Sequence, residues 1–168
     1  MKRIGCTGHQ ILSAATRRDV AKAVAAEIAG AEGENLLGLT CLAEGADQVF
    51  AFATLAAGGQ LHVVVPSRNY ESSFQSNQAR AAYDSLLTLA VSRSELDFSS
   101  PGEDAYMAAG REVADQSDIL LAVWDGKPAG GKGGTADVVA YAQQRGVEVR
   151  IIWPLGATRH NRYRRARS

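Results

Sequence analysis

The sequence lacks long apolar runs and has few cysteines. No run of apolar residues approaches the roughly 20 that a helix needs to cross a bilayer, and the first ten residues turn polar too early for a secretory signal. The 168 residues include two cysteines, Cys6 and Cys41, whose separation fits no common metal-ligand pattern. We therefore expect a cytoplasmic protein with buried thiols, without a membrane segment, a disulfide framework or a metal site.

Two common nucleotide-binding signatures are also missing. The stretch at 130–135 reads Gly-Gly-Lys-Gly-Gly-Thr, so its lysine precedes the last glycines and does not match the GxxxxGK[ST] pattern of P-loop proteins. The first predicted strand is not followed by GxGxxG. These absences argue against ATP hydrolysis and against NAD-dependent hydride transfer, and we predict no bound cofactor.

The basic and acidic residues balance overall but are unevenly distributed along the chain. The chain has 18 basic and 18 acidic residues. Five arginines and no acid fall in the last ten residues, which leaves the remainder at about −5. A negative body disfavours a broad nucleic-acid surface, whereas the basic tail at 155–168 is consistent either with a solvated end or with an anionic partner.

Strand and helix signals alternate along the rest of the chain. Helical i, i+4 spacing of apolar residues, as at Val20, Val24 and Ile28, separates short β-rich runs. The strand predicted at 118–124 is continuously apolar after Asp118, as expected for a strand buried on both faces of a parallel sheet. We predict an α/β fold, a three-layer sandwich with a mainly parallel sheet, as a single domain over 1–154, with strands at 3–6, 36–40, 61–65, 91–98, 118–124 and 147–153.

A glycine-dense loop joins the buried strand to the next helix, between Trp124 and Asp137. Glycines allow several backbone N–H groups to approach one anion, and the helix that follows adds its unpaired N-terminal donors. The alternative is a mobile surface turn. In the ligand-binding interpretation, the loop holds a phosphate through Gly130, Gly131, Gly133, Gly134 and Thr135.

The tips of the first two strands also carry polar residues. Ligands of open α/β sheets bind beyond the carboxyl ends of the strands, where the strand order reverses. This rule brings together the loops after the first, second and fifth strands, and the candidate ligand-binding residues there are Thr7, Gly8, His9, Glu44, Asp47 and Asp125. His9 is also consistent with an exposed loop histidine, and Glu44 and Asp47 with simple charges at a helix N-terminus.

These motifs resemble the SLOG superfamily, the Rossmann-like nucleotide-binding group that includes LOG-type phosphoribohydrolases, molybdenum-cofactor carrier-like proteins, and DprA- and YpsA-like proteins. By this resemblance Gly133, Gly134 and Thr135 correspond to the phosphate-binding loop, and Arg111 to the arginine on the preceding helix. The enzymes place a glutamate three positions after their threonine, whereas the third position here is Val138 and an acid, Asp137, stands at the second. This difference favours a ligand-binding relative over a hydrolase.

We therefore predict a protein that binds a nucleotide or a nucleotide-derived small molecule, as a sensor. The alternative is a phosphoribohydrolase that cleaves the N-glycosidic bond of a nucleoside 5′-monophosphate, with Glu44, Arg111 and Asp137 as catalytic residues. A third hypothesis is nucleic-acid binding through the arginine tail. A homo-oligomer is also consistent with the sequence if Phe74, Leu86 and Leu87 are exposed.

Overall fold

The computed structural model describes residues 1–31, 35–128 and 134–157. Within these ranges the strands are β1 (Lys2–Gly8), β2 (Leu36–Thr40), β3 (Gln60–Val65), β4 (Ser92–Glu95), β5 (Ile119–Val123) and β6 (Glu148–Ile152). The α-helices are α1 (Ala14–Ala29), α2 (Ala46–Ala56), α3 (Asn77–Leu89), α4 (Glu103–Gln116) and α5 (Thr135–Gln144), with a 3₁₀ helix at Tyr70–Ser73. None of the helices in these ranges is long and apolar enough to cross a membrane.

The six strands form one sheet in the order β4-β3-β2-β1-β5-β6, and every neighbouring pair is parallel. The chain first proceeds outward from β1 to β4 and then returns to place β5 on the other side of β1. The strand order therefore reverses at β1, between β2 and β5. The predicted α/β sandwich is confirmed, with a sheet that is wholly parallel.

Helices cover both faces of the sheet. On one face, Ile4 and Cys6 of β1 pack with Val20 of α1 and Phe50 of α2. On that face α3 covers the outer strands, where its Leu86 contacts the cluster of Leu61 and Val63. On the opposite face, the shared core of α4 and α5 with the sheet comprises Leu39, Val64, Val113, Leu120 and Val138. The sheet separates the two layers, and the strand-to-helix loops of both layers meet at its carboxyl edge.

Several local predictions were wrong in detail. The sequence Thr16-Arg-Arg-Asp19 resembles a capping box and predicts Thr16 as the N-cap of the first helix. The N-cap of α1 is instead Ser13, whose Oγ accepts from the Thr16 N–H at 3.1 Å, so Thr16 lies inside the helix. Strand β1 is longer than predicted because it continues to pair with β5 as far as Gly8 opposite Val123. Leu86 is fully buried, so it adds nothing to the exposed surface on which the homo-oligomer was made conditional.

Candidate functional site

The tip of β1 is joined to its neighbours on both sides. The His9 N–H donates to the Val123 carbonyl of β5 at 3.0 Å, and the His9 carbonyl accepts from the Ala46 N–H of α2 at 3.1 Å. Gly8 is required for this approach, because a Cβ at that position would lie 2.6 Å from the Ala46 Cβ and 2.7 Å from the Val123 Cβ. Two of the candidate residues, Gly8 and His9, thus lie where three elements meet.

The His9 imidazole contacts the loop that follows β5. The Asp125 N–H donates to Nε2 of His9 at 3.2 Å, and the Asp125 Oδ1 lies 3.4 Å from the same nitrogen. The His9 ring also packs edge-on against Trp153, after β6, with the ring centroids 5.3 Å apart. Both side chains are mostly buried, at 12% exposure for His9 and 5% for Asp125. The structure therefore brings the predicted residues His9 and Asp125 together.

The carboxylate of Asp125 also shapes its own turn. Its Oδ1 accepts from the Lys127 N–H at 3.0 Å, and the Lys127 carbonyl accepts from Nε1 of Trp124 at 2.8 Å. These two hydrogen bonds stabilise the turn that contains Trp124 and Lys127, at the start of the glycine-rich loop. Thr7 lies one step back, half-buried in β1 and in register with Ala122 of β5.

Asp47 is buried beneath the loop between β2 and α2. It lies in the first turn of α2, is 6% exposed, and its Oδ2 accepts from the Ala43 N–H at 3.2 Å. Burial raises the pKa of Asp47 to about 7, although hydrogen bonds from Ala43, Thr40 and other neighbours act in the opposite direction. Burial, with the nearby Asp47 charge as a second cause, also raises the pKa of the Cys6 thiol. In this position Asp47 fixes its own loop from within.

The same loop contains two residues with positive φ. Leu42 has φ 56° although it carries a side chain, and Gly45 has φ 88°. The Leu42 conformation is held by its N–H, which donates to Thr40 Oγ1 at 3.0 Å, and by its carbonyl, which accepts from Gln48 Nε2 at 3.3 Å. Strained backbone of this kind persists only where its surroundings determine it. The loop is therefore rigidly set in the conformation that presents Glu44.

Glu44 lies in a small cleft at the carboxyl edge. Its Oε1 accepts from Oγ of Ser76 at 3.2 Å, and Ser76 also caps α3 by accepting from the Ala79 N–H at 3.0 Å. The cleft has a volume of about 50 Å³, and its lining includes Gln10, Glu44, Tyr70, Ser73, Phe74 and Tyr106. The sequence prediction missed all of these except Glu44; the available signal was the pairing of Tyr70 and Phe74 with polar residues in the segment after β3.

The N-terminus of α5 follows the glycine-rich loop. Gly134 is the N-cap, with φ −71° and ψ 172°, and supplies no side-chain cap to the helix. Thr135 is 9% exposed, and Asp137 lies in the first turn with its N–H donating to the Gly134 carbonyl at 3.1 Å. The remaining predicted residues of the loop, Gly130, Gly131 and Gly133, lie outside the described residues.

Arg111 lies away from these loops. Its guanidinium is 5.1 Å from the ring centroid of Tyr141, near the carboxyl end of α5. The Tyr141 hydroxyl donates to Asp115, one turn beyond Arg111 in α4. Among the described residues no ion pair joins Arg111 to Glu44 or Asp137, and the joint catalytic role of these three residues stays a prediction.

Comparisons with known proteins identify the fold. No family model matches the sequence, and a search of the curated proteins found no match. Among solved structures, the DNA processing protein A of Streptococcus pneumoniae matches over 92% of this chain with a TM-score of 0.66 at 18% identity, and that of Helicobacter pylori over 94% with a TM-score of 0.65 at 16% identity. The chain shares the Rossmann-like α/β fold of these structures.

A second group of structures shares this Rossmann-like fold. The molybdenum cofactor binding protein of Rippkaea orientalis matches 89% of this chain and 75% of its own, with a TM-score of 0.55 at 16% identity. The chain spans about half of the pneumococcal protein, at 51%, and 68% of the Helicobacter one. At these identities the comparisons establish the fold, which agrees with the family resemblance noted in the sequence.

Proposed function

We propose that this protein binds a nucleotide or a nucleotide-derived small molecule at the carboxyl edge of its sheet, as a sensor. One observation carries the proposal: the β1 tip is hydrogen-bonded at once to the end of β5 and to the start of α2, at the position where the strand order reverses. Ligands of open α/β sheets bind at this position, because the loops there diverge and leave a crevice.

The phosphate belongs at the N-terminus of α5 in this proposal. Backbone N–H groups in the first turn of a helix have no partner within the helix, and the helix dipole favours an anion beside them. Gly134 supplies no side-chain cap, and in sequence α5 directly follows the glycine-rich stretch that we assign to a phosphate. The Asp125 carboxylate accepts from the Lys127 N–H, and this hydrogen bond partly offsets its repulsion of an anion.

The neighbouring structures support ligand binding by analogy only. The Helicobacter protein binds single-stranded DNA, and the Rippkaea protein binds a molybdenum cofactor. A shared fold does not determine which ligand binds, since ligand choice resides in the individual loops. The loops of this chain therefore have to be tested directly.

Calorimetry against inorganic phosphate, ribose 5-phosphate, AMP and ADP-ribose tests the proposal. We expect at least one nucleotide ligand to bind with a dissociation constant well below millimolar. The variant Gly134→Ser should weaken the binding of every phosphate-bearing ligand, because a serine hydroxyl at the N-cap competes with the phosphate for the first-turn N–H groups of α5. The matched control is Gly102→Ser, which adds the same side chain at the glycine N-cap of α4. Absence of binding to the whole panel would contradict the proposal.

The phosphoribohydrolase alternative is tested on the same samples. It requires Glu44 or Asp137 to act with Arg111, whereas Arg111 packs on Tyr141. We expect AMP to be recovered intact after incubation, with no free adenine detected by chromatography. Release of adenine by the wild type, together with its loss in Glu44→Gln, would show that the protein is a phosphoribohydrolase and not a sensor.

A further inference from the structure

The aromatic cleft beside Glu44 is separate from the proposed phosphate position. Its lining comes from the loops after β1, β2 and β3 and from the first turn of α4, whereas the phosphate position follows β5. In the sheet order, β2, which precedes Glu44, is separated from β5 by β1 alone, which places the two strand tips about 10 Å apart at the usual strand spacing. A ligand that reaches both positions must be elongated, with chemically different ends.

The chemistry of the cleft suits an uncharged, planar group. Glu44 contributes a carboxylate, and an anion placed beside it would be repelled. Tyr70 is the centre of an aromatic cluster, with edge-on contacts to Phe74 at 5.3 Å, Tyr83 at 5.4 Å and Tyr106 at 6.4 Å between ring centroids. Of these, Phe74 and Tyr106 are only partly buried and line the cleft. Partly exposed aromatic rings of this kind are platforms on which bases stack.

Glu44 is positioned to accept hydrogen bonds. The Ser76 hydroxyl holds its Oε1, and an ionised carboxylate has capacity for further donors on both oxygens. A ribose presents two adjacent hydroxyl donors, which match the two oxygens of one carboxylate. The carboxylate and the aromatic wall therefore fit the sugar and the base of one nucleoside.

We propose that this cleft is the nucleoside subsite, in which the base stacks against Tyr106 and Phe74 while Glu44 accepts from the ribose hydroxyls. The subsite rests on the proposed function, because the phosphate of the same molecule then points toward α5. The proposed subsite defines the ligand class as a ribonucleotide. The base, the sugar and the phosphate are then bound by different residues.

The base contact is tested with Tyr106→Leu, measured by calorimetry with AMP and with ribose 5-phosphate. Loss of the stacking contact should weaken the binding of AMP about tenfold and leave the binding of ribose 5-phosphate unchanged. Tyr141→Leu is the matched control, since Tyr141 lies on α5 beside Arg111 and should leave both affinities unchanged. Tyr106→Phe retains the ring and should retain AMP affinity, which separates stacking from misfolding.

The sugar contact is tested with Glu44→Gln, measured with AMP and 2′-deoxy-AMP. We expect the wild type to prefer AMP about tenfold, and Glu44→Gln to lose most of that preference. Equal binding of AMP and ribose 5-phosphate, together with no effect of Tyr106→Leu, would overturn the subsite while leaving phosphate binding intact. Tighter binding of a single-stranded DNA oligonucleotide than of AMP would also overturn it. Failure of every ligand to bind would instead contradict the proposed function itself.

Discussion

The five helices begin in two different ways. Helices α1 and α3 start at serines whose hydroxyls accept from the first-turn N–H groups, at Ser13 and Ser76. Helices α2, α4 and α5 start at glycines that provide no side-chain cap, at Gly45, Gly102 and Gly134. Of these, α2 and α5 follow the strands on either side of β1.

This difference separates helix starts that are capped by a side chain from starts that are not. At α2 the Ala46 N–H instead donates to the His9 carbonyl at 3.1 Å. A serine cap satisfies one of the unpaired N–H groups of the first turn. A glycine cap leaves those groups for the backbone of a neighbouring loop or for a ligand, and permits closer approach. Helices α2 and α5 both lack a side-chain cap and follow the strands beside β1. Their N-termini therefore lie at the part of the carboxyl edge where close backbone packing or ligand binding replaces a side-chain cap.

The largest expected effect is that of Gly45→Ala. The added Cβ would meet the Gln10 carbonyl and lie 2.6 Å from the His9 carbonyl, at φ +88°. Positive φ and overpacking together should cost about 2–5 kcal/mol in urea unfolding. Gly58→Ala is the control, because Gly58 also has positive φ but no atom within 4 Å, and should cost about 1–2 kcal/mol. Equal losses would show that contact with the β1 loop is unimportant.

The second prediction concerns the buried acid in the first turn of α2. Burial raises the pKa of Asp47 from 3.8 to about 7, so the folded state binds a proton more tightly than the unfolded state. The contribution of this group to stability is present below about pH 4 and is lost as the pH rises to about 7, by at most about 1.4 kcal/mol per pH unit.

Comparison with Asp47→Asn isolates that dependence. The free energy of unfolding of the wild type, minus that of the variant, should fall between pH 5 and pH 7 and level off above. Urea unfolding at several pH values measures it. A difference that stays constant over this range would contradict the pKa assigned to the buried Asp47 carboxyl.

The serine caps should have smaller and similar effects. Ser13→Ala and Ser76→Ala should each reduce the free energy of unfolding by about 1 kcal/mol, because one first-turn N–H loses its acceptor. Ser85→Ala, at an exposed position inside α3, should be neutral or slightly stabilising. Ser76→Ala should additionally lower ligand affinity if Glu44 binds sugar, and Ser13→Ala should not.

The smallest expected effect on stability is that of Gly134→Ser. The backbone of Gly134, at φ −71° and ψ 172°, is close to that of Ser13, at φ −63° and ψ 159°, so a serine fits without strain. Its new cap should stabilise the protein by about a few tenths of a kcal/mol in the absence of ligand. Destabilisation would indicate that the N-terminal donors of α5 are already satisfied within the chain.

Sequence patterns were sufficient for the elements but not for all of their limits. The continuous apolar run of β5 and the apolar spacing of α1 identified both elements, because burial imposes these periodicities directly. The end of β1 was missed because it depends on pairing with Val123, more than 100 residues away. The cap of α1 was misplaced because both Ser13 and Thr16 are suitable capping residues, and their hydroxyls are in fact hydrogen-bonded to each other at 2.9 Å.

The candidate site was predicted where it depends on local chemistry. Glycines and polar residues at strand ends identified Gly8, His9, Glu44 and Asp125, because strand ends converge in a parallel sheet. The aromatic wall was not identified, since Phe74 and Tyr106 reach Tyr70 from separate elements. Asp47 and Glu44 looked equivalent in sequence, but one is buried under its loop and the other lines the cleft.

Apolar periodicity was enough to predict the alternation of strands and helices, and with it the parallel sheet and its carboxyl edge, because short connections leave few other arrangements. Which side chains share that edge depends on tertiary contacts. The return of the chain from β4 to β5 brings His9 beside Asp125 and Tyr106 beside Tyr70, and no local pattern encodes those distances.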